Sequence, residues 1–120
     1  MTNDAAATSH GAYDESRLAV ALREWQAAPI TGAEKGFTAL GPIDADELLA
    51  RDVLLTELTF PVMTVRASAL EANIATMAAW CAERQVLLAP HGKTHMSPQI
   101  TARQLRAGAW GITAATLGQV

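Results

Sequence analysis

The chain has few of the residues on which several classes of protein depend. Among its 120 residues there is a single cysteine, Cys81, so no internal disulfide can form and an oxidising compartment gains no support. Basic residues number 9 against 12 acidic ones, and the formal net charge is -3. No cluster of lysine and arginine is present, although nucleic-acid phosphates require one. We therefore expect no nucleic-acid partner.

Long apolar runs are also absent. No run approaches the roughly 18 to 20 apolar residues of a membrane span, and residues 1–10 lack the charged and apolar regions of a signal peptide. We expect a cytoplasmic protein without a membrane partner. With 3 histidines and one cysteine, a closed four-ligand zinc site is not visible, so the sequence predicts no metal ligand within the chain.

Lysine is scarce as well, since the chain holds only Lys35 and Lys93. Lys35 lies in a polar segment flanked by glycine, where a solvated amine needs no special explanation. Lys93 follows the apolar run of residues 86–89. A lysine at the point where a buried strand becomes a loop can lose its charge by desolvation and act as a nucleophilic amine. This pattern predicts Schiff-base chemistry at Lys93, and an ordinary surface lysine is the competing interpretation.

Two histidines flank this lysine. His91 and His95 are four residues apart, a spacing that suits a shared metal only when both lie on one helix. Gly92 and the nearby Pro98 are incompatible with such a helix. We predict that both histidines position the loop.

The first 57 residues are predicted to form a flexible tail and a helical N-terminal extension. Residues 1–12 carry few bulky apolar groups and cannot offset the entropy of ordering. Apolar spacing indicates a helix over residues 14–26, and Asp44 with Glu47 three residues later indicates the start of another.

Residues 58–120 are predicted to be α/β. The expected elements are a strand at 59–65, a helix at 68–84 capped by Ser68 and Glu71, a strand at 86–89, a helix of about ten residues from Ser97 and Pro98, and a strand at 110–115. Strand, helix and strand with short connections form a parallel βαβ unit. This order fits the beginning of a TIM-type barrel, which needs about 250 residues when complete. A doubly wound sheet fits the periodicity equally well.

Three other side chains in this part receive predictions. Cys81 falls on the apolar face of the helix at 68–84, which indicates a buried structural thiol. Trp80 and Trp110 are expected in a core or an interface.

The stretch PHGKTHMSP at residues 90–98, preceded by PV at 61–62 and LEANI at 70–74, resembles the D-serine dehydratase and D-threonine aldolase group. These are pyridoxal phosphate enzymes of the alanine racemase type. The stretch RQLRAGAWGITAAT at residues 103–116 is similar to members named amino acid deaminase. The resemblance covers about residues 59 to 120.

The resemblance implies that Lys93 is the Schiff-base lysine for pyridoxal 5'-phosphate, at the end of the first strand of a truncated (β/α)8 barrel. His91, Thr94 and His95 are then expected to hold the loop or contact this cofactor. The implied function is deamination of a D-amino acid such as D-serine to a keto acid and ammonia. The alternatives are a D-threonine aldolase-type lyase, a non-catalytic pyridoxal phosphate-binding protein and an inactive remnant.

The resemblance further implies a zinc or manganese ion held by residues beyond Val120, and a homodimer of the full-length protein. The chain itself is expected to be a fragment without turnover, because most of the barrel is missing from it.

Overall fold

The computed structural model describes residues 13–38 and 41–119, and they are mainly helical. The helices are α1 (Glu15–Ala27), α2 (Ala45–Ala50), α3 (Ala67–Glu83) and α4 (Pro98–Arg106), with short 3-10 turns at Leu55–Glu57, Gly92–Thr94 and Leu117–Gln119. The tail predicted at residues 1–12 lies outside the described residues. Of those described, residues 16–70 form one compact unit, and residues 13–15 and 71–119 form another.

In the unit of residues 16–70, a single antiparallel bridge holds the loop between α1 and α2. Ile30 and Ile43 each donate a main-chain hydrogen bond of 2.8 Å to the other, and the Ile43 side chain is buried. The helix predicted at Asp44 is confirmed as α2, because the Asp44 carboxylate accepts the Glu47 N–H at 2.6 Å. The helix predicted at 14–26 is also confirmed, as α1, although its Trp25 is exposed.

The strand predicted at 59–65 is wrong. Within the described residues this segment joins no strand, and its ordered link is the Thr59 N–H bonded to the Gly36 carbonyl at 2.9 Å. Pro61 offers no N–H to a neighbouring strand, and the side chain of Met63 is 88% exposed. The β-branched residues of this segment therefore do not pack into a sheet within the described part of the chain.

Helix α3 confirms the predicted helix but not its predicted cap. Ser68 lies inside the helix, and the Glu71 carboxylate pairs with the Arg103 guanidinium instead of returning to the main chain. Cys81 is buried as predicted, with 7% of its surface exposed. Trp80 does not lie in a core, because it is about half exposed, with the Arg84 guanidinium 4.5 Å from its ring centre; the interface predicted as the alternative stays a prediction.

Helix α4 begins and ends where the sequence predicts. The Ser97 hydroxyl accepts the Ile100 N–H at 3.3 Å, with Pro98 in the first turn. At the other end Gly108 adopts a φ of +104°, a conformation that favours glycine. The Gly108 and Ala109 N–H groups then return to carbonyls of the last turn. Ala102 faces the core from this helix and is almost completely buried.

The segments on either side of α4 run parallel, although neither is a regular strand. Trp110 donates to the Leu88 carbonyl at 2.8 Å, Thr113 donates to the Pro90 carbonyl at 2.8 Å, and Gly92 donates to the Thr113 carbonyl at 3.1 Å. Pro90 cannot donate the bond that would lie between these contacts. The predicted strands at 86–89 and 110–115 are thus present as extended segments joined by one parallel bridge, between His91 and Thr113.

This pair of segments with α4 between them has the connectivity of a βαβ unit. The barrel itself stays a prediction, as do the boundaries of the two predicted domains. Trp110 does not lie in a core, since it is about half exposed, and its predicted place in an interface stays a prediction. Among the described residues, no helix is long and apolar enough to span a membrane.

Candidate functional site around Lys93

Lys93 lies in the 3-10 turn Gly92–Thr94, directly after the first extended segment of the parallel pair. Its side chain is exposed. The burial expected around it is wrong for this chain, because Leu87 in the preceding segment is 72% exposed. Lys93 lies at the carboxyl end of an extended segment, as predicted. The described residues do not bury its amine, so they do not provide the desolvation that was predicted to activate it.

His91 holds the turn that carries this lysine. Its Nδ1 accepts the main-chain N–H of Lys93 at 3.3 Å, and its carbonyl accepts the Thr94 hydroxyl at 2.8 Å. The His91 main chain also forms the parallel bridge with Thr113. These contacts hold the turn, whereas the predicted contact of His91 and Thr94 with a cofactor stays a prediction.

His95 ends the same turn. Its Nδ1 accepts the main-chain N–H of Ser97 at 3.1 Å, and the intervening Met96 has a φ of +50°, which is uncommon for a residue other than glycine. The His95 Nε2 is enclosed and has no hydrogen-bond partner among the described residues. The His95 imidazole therefore links the Lys93 turn to Ser97, the residue that caps α4.

Gly92 allows the turn to approach the second extended segment. A Cβ atom at this position would lie 3.3 Å from the Ile112 Cγ2 methyl, which is a tight contact. Thr113, on the same segment, donates its hydroxyl to the Ala89 carbonyl at 2.8 Å. The sequence indicated a strand at Thr113 but gave no signal for this cross-segment bond, since the register of pairing is not visible from composition.

A metal centre is not formed by the part of the chain described. No group of three or more His, Cys, Asp or Glu side chains that could hold an ion occurs within residues 13–38 and 41–119. Both histidines of the loop also use Nδ1 to accept a main-chain N–H. The metal implied for residues beyond Val120 stays a prediction.

The comparisons with known proteins give one partial match of interest. A D-threonine aldolase from Arthrobacter sp is 40% identical to the chain over 58 residues, which are 48% of this chain and 15% of that protein. Part of this chain is similar to a D-threonine aldolase. No family model matches the chain, and no solved structure matches it. The chain thus spans about 15% of the length of this curated relative, and the similarity supports the aldolase branch of the predicted resemblance.

Proposed function

We propose that this chain is the lysine-bearing segment of a pyridoxal 5'-phosphate-dependent lyase that cleaves a D-amino acid with a β-hydroxyl group. The observation that carries the proposal is the Lys93 turn: an exposed lysine, fixed through its own main-chain N–H by His91. The partial identity to a D-threonine aldolase supports the reaction class. Lys35, the other lysine, lies outside this turn.

The residues around Lys93 fit a cofactor that carries an aldehyde. The exposed amine is accessible to an aldehyde carbon, and the hydrogen bonds of the turn fix the main chain from which that amine extends. The His95 Nε2 is enclosed and its ring accepts the Ser97 N–H, so this imidazole supports the turn and offers no free nitrogen to the cofactor. When bound, the cofactor supplies the electron sink that protein side chains lack.

The chain's own groups then have separate tasks. Lys93 would hold the cofactor through Nζ, as its amine is a nucleophile for an aldehyde. The same Nζ, when free, would accept and return a proton beside the substrate. His91 and Thr94 orient the turn and so fix the position of that proton carrier.

Deamination is the second candidate, favoured by the resemblance of residues 103–116 to proteins named amino acid deaminase. The two reactions differ in their products: aldol cleavage gives glycine and an aldehyde, and deamination gives ammonia and a keto acid. A protein that binds the cofactor without turnover would give neither pair. A homodimer of the longer protein, and a metal held outside this chain, belong to the same proposal.

Covalent labelling of Lys93 tests the proposal on the chain itself. The chain is incubated with pyridoxal 5'-phosphate, reduced with borohydride, digested and analysed by mass spectrometry. We expect the modified peptide to be the one that contains Lys93, because its amine is held on an ordered turn. Borohydride trapping makes even weak cofactor binding measurable.

Lys35 provides a matched control, as both lysines are exposed. Lys35→Ala should leave the labelling unchanged, and Lys93→Ala should remove it. Equal modification of both lysines, or none on Lys93, would contradict the proposed function.

A further inference from the structure

Two imidazole rings hold the main chain of the Lys93 turn as hydrogen-bond acceptors. The His91 Nδ1 accepts the Lys93 N–H at 3.3 Å, and the His95 Nδ1 accepts the Ser97 N–H at 3.1 Å. An imidazole nitrogen accepts a hydrogen bond only while it carries no proton, and a positively charged ring carries a proton on both nitrogens. Both bonds therefore require a neutral ring with its proton on Nε2.

The surroundings of the His95 ring offer no other way to hold a second proton. Its Nε2 is enclosed and has no hydrogen-bond partner in the described part of the chain. A proton on Nδ1 would point toward the Ser97 N–H, which is itself a donor. A charged ring without an acceptor at either nitrogen is unfavourable in such an enclosed position.

The segments next to the two rings carry no carboxylate that could compensate a positive charge. Three neighbouring stretches contain no Asp, Glu, Lys or Arg: residues 86–90, 98–101 and 110–113. The charged groups of α3 and α4 are already in ion pairs: Glu71 with Arg103, Glu83 with Arg84 and Arg106 with Glu15. The charged group within the turn is the Lys93 amine, which is positive itself. The neutral state of both rings is therefore the one that these neighbours favour.

We propose that the Lys93 turn is a pH-sensitive element, which is closed while both imidazoles are neutral and loses its two ring-to-main-chain bonds when they gain protons. Imidazole is the side chain that ordinarily changes charge between about pH 5 and 8. The unfolded chain takes up these protons, whereas the closed turn excludes them. The turn is thus stabilised as the pH rises through this range and is released as the pH falls through it.

This inference goes beyond the proposed function, because it concerns the ligand-free chain and needs no cofactor. Its consequence for Lys93 is mechanical. The main chain from which the lysine extends is held at the upper end of the pH range and is free to rearrange at the lower end.

Nitrogen-15 NMR of the ligand-free chain tests the closed state and its release. At pH 8, His91 and His95 should both show an unprotonated Nδ1 and a proton on Nε2. As the pH is lowered to 5, the amide resonance of Lys93 should move together with the protonation of His91. The amide resonance of Ser97 should move together with the protonation of His95.

Asparagine variants separate hydrogen-bond acceptance from titration. The asparagine side-chain oxygen can accept the same main-chain N–H near the place of Nδ1, and it gains no proton in this pH range. In His95→Asn the Ser97 amide should stop responding to pH, while the Lys93 amide still responds. In His91→Asn the reverse is expected, so each variant is the matched control for the other.

Urea unfolding shows whether the two bonds stabilise the fold. Relative to the double variant His91→Asn/His95→Asn, the unfolding equilibrium constant of the parent chain should rise by roughly tenfold from pH 8 to pH 5, as expected for loss of two hydrogen bonds. His10 is common to both chains, so its titration cancels in this ratio. The Glu15 carboxylate changes charge outside this range, because its pKa is lowered below 4.5.

Three results would overturn the proposal. They are a proton on Nδ1 of either ring at pH 8, Lys93 and Ser97 amide resonances that stay constant from pH 8 to pH 5, and an equal pH response of the parent chain and the folded double variant. The first two are observed on the parent chain alone, so they decide the matter even where an asparagine variant does not fold. None of them bears on covalent labelling of Lys93, which tests the proposed function separately.

Discussion

Met96 adopts a φ of +50° within the turn that carries Lys93, and its side chain is exposed. Left-handed main chain costs a residue other than glycine about 1 to 2 kcal/mol, and asparagine adopts it more readily than a β-branched residue does. Met96→Ile should therefore be less stable than Met96→Asn by about 1 kcal/mol in free energy of unfolding. Urea unfolding of the two variants measures the difference.

Met63→Ile is the control for this substitution, because Met63 is also exposed but does not have a positive φ. Its stability should remain within about 0.5 kcal/mol of the parent chain. Equal stabilities of Met96→Ile and Met96→Asn would show that the turn does not constrain position 96.

At the scale of the elements, helix α4 depends on its N-cap residue, Ser97. The Ser97 hydroxyl accepts the Ile100 N–H, and an alanine there would leave that N–H without its partner. Ser97→Ala should lower the free energy of unfolding by about 1 kcal/mol, and Ser97→Asp should retain most of it, since aspartate is an equally good cap. Circular dichroism during thermal unfolding reports both changes.

A Ser97→Ala chain as stable as the parent would mean that the cap does not support α4. The main-chain N–H of residue 97 is present in every variant, so the bond to His95 Nδ1 is retained and the comparison isolates the hydroxyl.

Elements fixed by neighbouring residues were predictable from the sequence, and elements fixed by distant ones were not. Asp44 and the pair Ser97 and Pro98 mark α2 and α4 correctly, because a cap acts within three residues. The segment at 59–65 has strand composition but no paired neighbour in the described chain, and composition alone cannot reveal that. The capping box at Ser68 failed because α3 begins one residue earlier, at Ala67, and Glu71 pairs with Arg103, 32 residues away.

The candidate site shows the same division. The place of Lys93 after an extended segment followed from the order of apolar and polar residues. The bond from the Ser97 N–H to His95 did not follow, because Met96 between them has a positive φ that its side chain does not indicate.

At the scale of the whole molecule, one ion pair ties the start of α1 to the end of α4. The Glu15 carboxylate lies 2.6 Å from the Arg106 guanidinium. Its hydrogen bond with Arg106 lowers the pKa of Glu15 below the ordinary value of 4.5. A lowered pKa in the folded state means that the carboxylate stabilises the fold above pH 4.5, and that this stabilisation is lost as the pH falls through the lower folded value.

Glu15→Gln should therefore reduce stability near neutral pH and have no effect once the carboxylate of the parent is protonated. Both side chains are about half exposed, so the effect should be small and should decrease in high salt. Thermal unfolding over a pH series measures it, with the exposed Glu24→Gln on the same helix as control. A difference that persists in strong acid would assign the effect to packing rather than charge.

Pro90 lies where the pairing of the two extended segments changes register. This imino acid has no N–H to donate, and the main-chain link between Leu88 and Trp110 is followed by one between Pro90 and Thr113, where a regular parallel pair would use Ile112. Side chains alternate along an extended chain, so this slip by one position exchanges which of the two neighbours, Ile112 or Thr113, faces each side. The Ile112 Cγ2 methyl is thus the atom that a Cβ at position 92 would meet, 3.3 Å away, and the Thr113 hydroxyl bonds to the Ala89 carbonyl instead.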